Sequence, residues 1–315
     1  MRIIFMGTPE FALPTFRALL ASRHTIAAAV TQPDRPSGRG QQLAAPAIKR
    51  AALAAGLPVY QPARMKDPEF HDRLRAHRAD LFVVVAFGRI LPQEILDIPP
   101  RGCVNVHGSL LPRYRGAAPI QWAILRGETE TGITTIQMDA GMDTGSIYLQ
   151  EKTAILPGET AGELAPRLAE IGARVLIQTL DGIESGQLHP IPQENAAATM
   201  APVLDKDQGL VDWKQPAVVI ERLVRGLDPW PGAYTFYQED RWRLGRAQAD
   251  DARADRSETP APGTILAVGP DRLRVATGAA GVLEILELQP ASRRRMAVRE
   301  FISGHPVEPG VVLGE

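Results

Sequence analysis

Three side chains with complementary chemistry lie in two short motifs in the middle of the chain. Asn105 and His107 stand two residues apart, and Asp143 follows in a glycine-flanked turn. Alternate residues of a strand face the same side, so a strand would present the carboxamide and the imidazole together. A carboxamide N–H can stabilise a carbonyl oxygen that gains negative charge, and imidazole exchanges protons near neutral pH. The pattern predicts acyl transfer, with Asp143 orienting His107.

Other reaction types have weaker support in these residues. Ser109 is not in a Gly-x-Ser-x-Gly context, and Cys103, the only cysteine, has no evident activating partner. Neither motif has the Cys and His spacing of a zinc site, so we expect no metal. Taken singly, an Asn-x-His pair is more often a strand-end hydrogen-bonding pair, and Asp143 a turn residue. Direct attack by an acceptor's own amine fits better than a covalent enzyme intermediate.

Strands and helices alternate around these motifs. Short apolar runs predict strands at 2–6, 25–31, 58–61, 81–86, 104–106 and 133–138, with helical patterns at 11–21, 45–55, 69–77, 118–125 and 164–179. The run 81–86 is apolar throughout, which is typical of a strand buried on both faces of a parallel sheet. The fold class predicted is α/β, with a Rossmann-like, mostly parallel sheet. Both motifs follow strands, so they should meet at the carboxyl edge of that sheet.

The chain is long enough for a second domain. Segment 190–206 is rich in Pro, Ala, Gln and Asn and has little periodicity, as expected of a linker. A helical pattern at 219–227 is then followed by short strand candidates with Gly and Pro turns, which predict a small OB-like β-barrel. We therefore expect a catalytic domain at 1–189, a linker at 190–206 and a second domain at 207–315.

Composition limits the classes of partner. Hydrophobic residues make up 44% and charged residues 23% of the 315, as in an ordinary globular protein. A formal net charge of -1 argues against coating nucleic acid through overall positive charge, so any RNA contact must be local. One cysteine and the lack of a long apolar run predict a cytoplasmic protein that does not enter membranes. We expect a monomer.

Longer segments resemble the methionyl-tRNA formyltransferase family of folate-dependent formyltransferases, over nearly the whole chain. The segments that carry the resemblance are Phe5 to Phe11, Thr31 to Gly40, Ala86 to Pro92 and Asn105 to Gln121. The family implies transfer of a formyl group from 10-formyltetrahydrofolate to the α-amino group of initiator methionyl-tRNA, for translation initiation. It also implies Asn105, His107 and Asp143 as the catalytic set.

The resemblance further implies where the two substrates bind. We expect the folate pterin in a cleft formed by Phe87, Gly88, Ile90, Leu91, Ser109, Leu110, Leu111, Pro112, Asp139, Ala140 and Gly141. A basic loop carrying Arg35 and Arg39 would enter the acceptor stem of the tRNA. On the barrel domain, Arg293, Arg294 and Arg295 would meet backbone phosphates.

Two alternatives stay open at this point. The same catalytic set could formylate a sugar amine or a glycinamide nucleotide, and a comparison of acceptors separates these. The chain could also be a non-catalytic RNA-binding protein on an enzyme scaffold, although the presence of Asn105, His107 and Asp143 speaks against that.

Arg39→Ala tests the expected role of the basic loop. We expect this substitution to impair use of tRNA far more than use of folate, because an arginine on a loop with glycine and proline can reach phosphates or bases. Steady-state kinetics with each substrate varied in turn gives the two effects. An unchanged kcat/KM for tRNA would contradict the assignment.

Overall fold

The computed structural model describes residues 1–37, 42–250 and 260–314. The chain divides into two compact units, each described below by itself. The first comprises Met1–Pro119, Glu130–Ala154 and Ala165–Pro202, and the second comprises Ile120–Thr129, Ile155–Leu164 and Val203–Glu315. Residues 190–202, within the predicted linker, are thus counted with the first unit. The predicted boundaries at 189 and 206 remain predictions.

In the part of the chain that the structure describes, eleven strands belong to the first unit. They are β1 (Arg2–Gly7), β2 (Thr25–Val30), β3 (Arg35–Ser37), β4 (Gln42–Ala44), β5 (Val59–Tyr60), β6 (Leu81–Val85), β7 (Cys103–His107), β8 (Arg115–Gly116), β9 (Glu130–Gln137), β10 (Ile147–Ala154) and β11 (Met200–Ala201). The helices along the same part of the chain are α1 (Leu13–Leu20), α2 (Ala47–Ala54), α3 (Pro68–Ala76), α4 (Gln93–Leu96), α5 (Pro119–Leu125) and α6 (Ala161–Ser185).

Seven of these strands form one mixed sheet in the order β10-β9-β7-β6-β1-β2-β5. Five neighbouring strands, β7, β6, β1, β2 and β5, pair in parallel. Strands β9 and β10 continue the sheet beyond β7 and pair antiparallel. The predicted α/β class with a mostly parallel sheet is therefore confirmed. Because β1, β2, β6 and β7 run the same way, the segments that follow them meet at one edge.

Continuous apolar sequence explains the centre of this sheet. All five residues of β6 are buried, as are the last five of β1, so both faces of these strands are covered. The side chains of Phe5 and Phe82 are fully buried. Burying aliphatic or aromatic side chains of this size contributes about 1.5–3 kcal/mol each, which fixes the strands against the helices.

The edge strand β10 was not predicted from the sequence. From Leu149 onward its residues alternate between half-buried and exposed, and its sequence, IYLQEKTA, mixes polar and apolar side chains. An antiparallel edge strand needs only one covered face, so the continuous apolar run that identified β6 is absent from it. The short pairs β3–β4 and β8–β11 were also not predicted, because strands of two or three residues are too short to show a periodic pattern.

The second unit contains a curled antiparallel sheet. Its strands are β12 (Tyr234–Tyr237), β13 (Asp240–Asp250), β14 (Ile265–Val268), β15 (Leu273–Ala276), β16 (Val282–Pro290) and β17 (Met296–Ala297), and its helices are α7 (Ala217–Gly226) and α8 (Val298–Gly304). The order is β12-β13-β16-β15-β14, with β17 paired to β16. This half-barrel agrees with the predicted barrel-type domain. Its core includes Trp213, Trp242 and Phe301. Helix α8 was not predicted.

Among the helices in the described ranges, none combines the length and the apolar character needed to span a bilayer.

Cys103 provides a test of the packing at the start of β7. Its side chain is buried, and burial raises the pKa of the thiol to about 12. Because the thiolate is the reactive form, we expect no reaction with Ellman's reagent at pH 8 in the native protein and one thiol per chain after unfolding. Rapid labelling of the native protein would show that this part of the sheet opens.

Candidate active site

Strand β7, between the parallel β6 and the antiparallel β9, carries the predicted catalytic pair. Asn105 lies opposite Val84 of β6 and Ile136 of β9, and His107 lies opposite Thr134 of β9. Asn105 is half-buried, whereas His107 is 6% exposed. The central position of β7 therefore holds both side chains on a rigid strand at the carboxyl edge of the sheet.

The imidazole of His107 lies between a main-chain carbonyl and a carboxylate. Nε2 is 2.9 Å from the carbonyl oxygen of Tyr114, and Nδ1 is 3.6 Å from Oδ2 of Asp143. A carbonyl oxygen only accepts, so Nε2 carries the hydrogen and the neutral ring keeps its lone pair on Nδ1. At 3.6 Å the Nδ1–Asp143 contact is too long for a hydrogen bond. A proton taken up on Nδ1 would turn it into an ion pair.

Main-chain geometry fixes Asp143 in this position. The residue has φ of 55°, in the left-handed region that aspartate tolerates better than most residues. The N–H of Gly116 donates to Asp143 Oδ2 at 2.8 Å, and Gln193 Nε2 donates to the Asp143 carbonyl oxygen at 2.8 Å. Gly116 has φ of 125°, and a Cβ there would lie 2.6 Å from the carbonyl oxygen of Ala201. Only glycine fits this approach.

Gly116, Tyr114 and Gln193 were missed by the sequence analysis. Each acts through a main-chain group or binds one, and such hydrogen bonds leave no pattern of residue types. Gln193 lies in the segment predicted as a linker, yet it also donates to the carbonyl oxygen of Gly145 and accepts from Arg115. The only sequence signal for any of them was that Tyr114 and Gly116 lie within the segment Asn105 to Gln121, which resembles the family. That resemblance gave neither residue a role.

The carboxamide of Asn105 is available to a ligand. Within residues 1–37, 42–250 and 260–314, no group hydrogen-bonds to this side chain. The side chain is half-buried, so a ligand can reach its amide. Its N–H group can therefore donate to an oxygen placed beside His107.

Residues with left-handed backbone conformation cluster around the three side chains. Of the eight non-glycine residues with positive φ in the described parts of the chain, Ala86, Tyr114 and Asp143 have φ of 45°, 62° and 55°. Ala86 directly follows β6, and Tyr114 supplies the carbonyl oxygen that binds His107. Such conformations cost of order 1–3 kcal/mol each and persist where the surrounding structure enforces them, commonly at functional sites.

The segments expected to bind folate lie near Asn105 and His107 in the sequence or the sheet, but many of their side chains are buried. Phe87 and Leu91 are 2% and 4% exposed and belong to an apolar core cluster. Ser109 is fully buried and donates through Oγ to the carbonyl oxygen of Arg113 at 2.6 Å. Ile90, in contrast, is 77% exposed. A ligand at the turn after β6 would therefore meet main-chain groups and Ile90.

The other two predicted wall segments differ in accessibility. Leu111 is 3% exposed, and its N–H donates to Thr134 Oγ1 at 3.1 Å, which ties the segment Ser109 to Pro112 to β9. Asp139 caps its own turn, because Oδ1 accepts from Gly141 N at 3.0 Å and from Thr144 Oγ1 at 2.7 Å. Ala140 and Gly141 are exposed. Folate contact by these residues remains a prediction.

A cleft of about 570 Å³ opens at the same sheet edge, where β1, β2 and β6 end. Its lining includes Thr8, Gln32, Arg35, Ala45 and Ala86. This volume lies in the range of small-molecule sites. Arg35 is exposed at the base of the hairpin formed by β3 and β4, whereas Arg39 lies outside the described residues.

The arginines expected to bind RNA in the second unit differ in their surroundings. Arg295 donates to Asp228 at 2.9 and 3.1 Å, to Glu287 at 2.7 Å and to the carbonyl oxygen of Gly245 at 2.8 Å. Arg294 forms an ion pair with Glu300. The guanidinium of Arg295 is thus engaged inside its own unit. RNA binding by Arg293, Arg294 and Arg295 remains a prediction.

One group of three possible metal ligands occurs in the described residues, at the opposite edge of the sheet. It consists of His24, Asp181 and Glu184. The guanidinium of Arg23 already lies 2.8 Å from Asp181 and 2.9 Å from Glu184. These ion pairs neutralise the carboxylates, so we interpret the group as a salt-bridge network.

The whole chain is similar to known formyltransferases. The Formyl transferase profile matches residues 1–180, and the profile of the formyl transferase C-terminal domain matches residues 203–306. A methionyl-tRNA formyltransferase of Acetivibrio thermocellus is 51% identical over 315 residues, covering 100% of both chains. The chain therefore belongs to the methionyl-tRNA formyltransferase family.

Solved structures show the same fold. The methionyl-tRNA formyltransferase from Clostridium thermocellum aligns with a TM-score of 0.55 at 18% identity, over 80% of this chain and 95% of that one. An N-formyltransferase from Helicobacter canadensis, solved with folinic acid and dTDP-3-aminofucose, aligns with a TM-score of 0.67 at 15% identity. That alignment covers 90% of this chain and 98% of the other.

Asn105→Ala should abolish most of the activity. Loss of one donor to a developing oxyanion costs on the order of 3 kcal/mol, so we expect turnover to fall at least about a hundredfold. Asn105→Asp keeps the size but replaces the N–H donors by carboxylate oxygens, so it should fall similarly. Single-turnover formyl transfer gives the rates, and circular dichroism checks the fold. Near-normal turnover in either folded variant would refute the role of Asn105.

Asp143→Asn removes the charge beside His107 and keeps a residue that tolerates left-handed backbone. We expect kcat to fall at least about tenfold, which corresponds to about 1.4 kcal/mol less stabilisation of the imidazolium. The Michaelis constants should change less than kcat. A variant with unchanged kcat across the pH range would show that the carboxylate has no part in proton transfer.

Proposed function

We propose that this protein transfers a formyl group from 10-formyltetrahydrofolate to the α-amino group of methionyl-initiator tRNA. The observation that carries the proposal is the arrangement of a free Asn105 carboxamide beside His107, whose Nδ1 faces Asp143 at 3.6 Å. Identity of about half over the full length of a methionyl-tRNA formyltransferase supports this acceptor. The reduced folate supplies the formyl carbon, and the residues of the chain supply positioning and proton transfer.

The reaction needs a neutral amine and a stabilised oxyanion. The methionyl amine is less basic than an ordinary amine because its carboxyl group is esterified to the tRNA. After losing a proton it attacks the formyl carbon, a new C–N bond forms, and the carbonyl oxygen becomes negative. Asn105 donates to that oxygen, in a site where the donor is already in place before the reaction.

His107 carries the proton between the two nitrogens. Its Nδ1 accepts the proton that the attacking amine loses, and Asp143 stabilises the resulting imidazolium. The proton then passes to the departing folate nitrogen as its C–N bond to the formyl carbon breaks. The hydrogen bond from Nε2 to Tyr114 keeps the ring in the same orientation through both transfers.

The folate site follows from the two flanks of the catalytic pair. Main-chain groups of Phe87 and Gly88 would hold the pterin, with Ile90 covering it and the segments Ser109 to Pro112 and Asp139 to Gly141 forming the remaining walls. The buried side chains of Phe87 and Leu91 support this role because they fix the turn from below.

For the tRNA we propose local contacts. Arg35 and Arg39 reach the acceptor stem, and Arg293 and Arg294 meet phosphates on the second unit. Arg295 contributes mainly to the stability of that unit, since its guanidinium is engaged by Asp228 and Glu287. We place the protein in the cytoplasm, where translation initiates, and propose that it acts as a monomer.

A comparison of acceptors tests the function. The protein is incubated with 10-formyltetrahydrofolate and, in separate reactions, charged initiator tRNA, an amino sugar nucleotide and glycinamide ribonucleotide. We expect N-formylmethionine with the tRNA and at least about a hundredfold lower kcat/KM with the other two, because recognition of the RNA adds binding energy that they lack. Asn105→Ala is the inactive control. Preferential formylation of either small acceptor would replace the proposal.

A further inference from the structure

One side chain connects the base of the hairpin formed by β3 and β4 to the turn that follows β6. Gln32 lies just beyond β2, and its Nε2 donates to the carbonyl oxygens of Phe87 at 2.9 Å and Gly88 at 3.1 Å. Its Oε1 accepts from Arg35 at 2.5 Å. The two ends of a single amide are thus bound to the two regions proposed for folate and for RNA.

The main chain of Gln32 is fixed independently. Its N–H donates to Thr8 Oγ1 at 3.3 Å, and Thr8 Oγ1 donates to the Phe87 carbonyl oxygen at 3.0 Å. Gln61 Nε2 donates to the Gln32 carbonyl oxygen at 2.8 Å. The ends of β1, β2 and β6 are therefore tied together. Two amides lead from this anchor toward the hairpin: that of Gln32, which binds Arg35, and that of Gln61, whose Nε2 also donates to Asp34 Oδ1 at 2.8 Å.

Packing at Gly88 makes the turn sensitive to this amide. Gly88 has φ of 74°, and a Cβ at this position would lie 2.4 Å from Gln32 Nε2. Ala86, two residues earlier, also has a left-handed backbone conformation. With so little space and two donated hydrogen bonds, the directions of the Phe87 and Gly88 carbonyl groups depend on how the Gln32 amide is oriented.

At the hairpin, Arg35 keeps donors for a further ligand. A guanidinium has five N–H groups, and in the described residues one terminal nitrogen of Arg35 binds Gln32. The side chain is exposed, so a phosphate can bind its other N–H groups while the bond to Gln32 stays in place. Binding of a phosphate then restricts Arg35, and Arg35 restricts the Gln32 amide.

We propose that Gln32 is a positioning residue that couples the two substrates, so that RNA bound at Arg35 raises the affinity of the turn Phe87–Gly88 for reduced folate. The inference rests on the proposed function. The coupling arises because the second ligand meets groups that the first has already ordered. It is reciprocal, so folate raises the affinity for RNA by the same factor.

The test compares tetrahydrofolate binding with and without uncharged initiator tRNA, by isothermal titration calorimetry at fixed salt. For the unmodified protein we expect about fivefold tighter folate binding in the presence of tRNA, within the usual range of coupling between sites. In Gln32→Ala this ratio should fall to about one, because the path from Arg35 to the turn is removed. A ratio of one in the unmodified protein, or an unchanged ratio in Gln32→Ala, would overturn the inference.

Matched variants separate coupling from loss of packing. Gln32→Glu keeps the size and still accepts from Arg35, but a carboxylate cannot donate to the Phe87 and Gly88 carbonyl groups, so its ratio should also be about one. Gln61→Ala removes the hydrogen bonds to the Gln32 carbonyl oxygen and to Asp34 Oδ1 but leaves those of the Gln32 amide in place, so it should keep the ratio of the unmodified protein. Loss of the ratio in Gln61→Ala as well would make the role of Gln32 merely structural and refute the coupling.

Two further measurements cover a variant that does not fold and a failure of the proposed function. If Gln32→Ala does not fold, as judged by circular dichroism, Gln32→Glu and Arg35→Ala carry the test, and a ratio near five in either overturns the inference. Formyl transfer to methionyl-tRNA is measured on the same preparation. If the unmodified protein formylates methionyl-tRNA but its folate affinity is the same with and without tRNA, only the coupling is refuted. If it does not formylate methionyl-tRNA, the proposed function and the coupling are both refuted.

Discussion

The hydrogen bond between His107 Nε2 and the Tyr114 carbonyl oxygen is the constraint on which the proposed catalytic arrangement depends. A main-chain acceptor cannot donate back, so it fixes the tautomer of the ring and leaves Nδ1 as its basic atom. The fixed ring aims that atom at Asp143. A flexible side chain in place of the carbonyl would hold the ring less well, because its own rotamers would have to be ordered first.

The parallel sheet explains why residues distant in sequence meet. Strands β6 and β7 end side by side, so the segments that follow Val85 and His107 leave the sheet at one edge. Strand β9 runs antiparallel to β7 and ends beside Val104, so the loop after β9 has to return to bring Asp143 to His107, and the expectation that both motifs follow parallel strands was wrong for Asp143. The positions of Asn105 and His107 follow directly from strand periodicity. The position of Asp143 depends on Gly116, whose N–H binds the carboxylate.

Much of the first unit could be predicted because its central strands are apolar runs separated by clear turns. The predicted strand at 81–86 and the structural strand Leu81–Val85 nearly coincide. The site was harder to predict beyond its three reactive side chains. Sequence periodicity carried the pair Asn105 and His107, but the hydrogen bonds from Gln193 and Gln32 to carbonyl groups depend on three-dimensional closeness. The residue type alone also did not show which arginines can bind RNA, since Arg295 forms ion pairs within its own unit.

The pairing of β11 with β8 bears on how the chain can be divided for study. Arg115 N donates to the Thr199 carbonyl oxygen, and Ala118 N donates to that of Ala201, on either side of Gly116. A fragment ending at 189 would lack these acceptors as well as Gln193, although it would keep all three reactive side chains. The hydrogen bonds that hold Gly116 and the Asp143 loop thus depend on residues between 193 and 201.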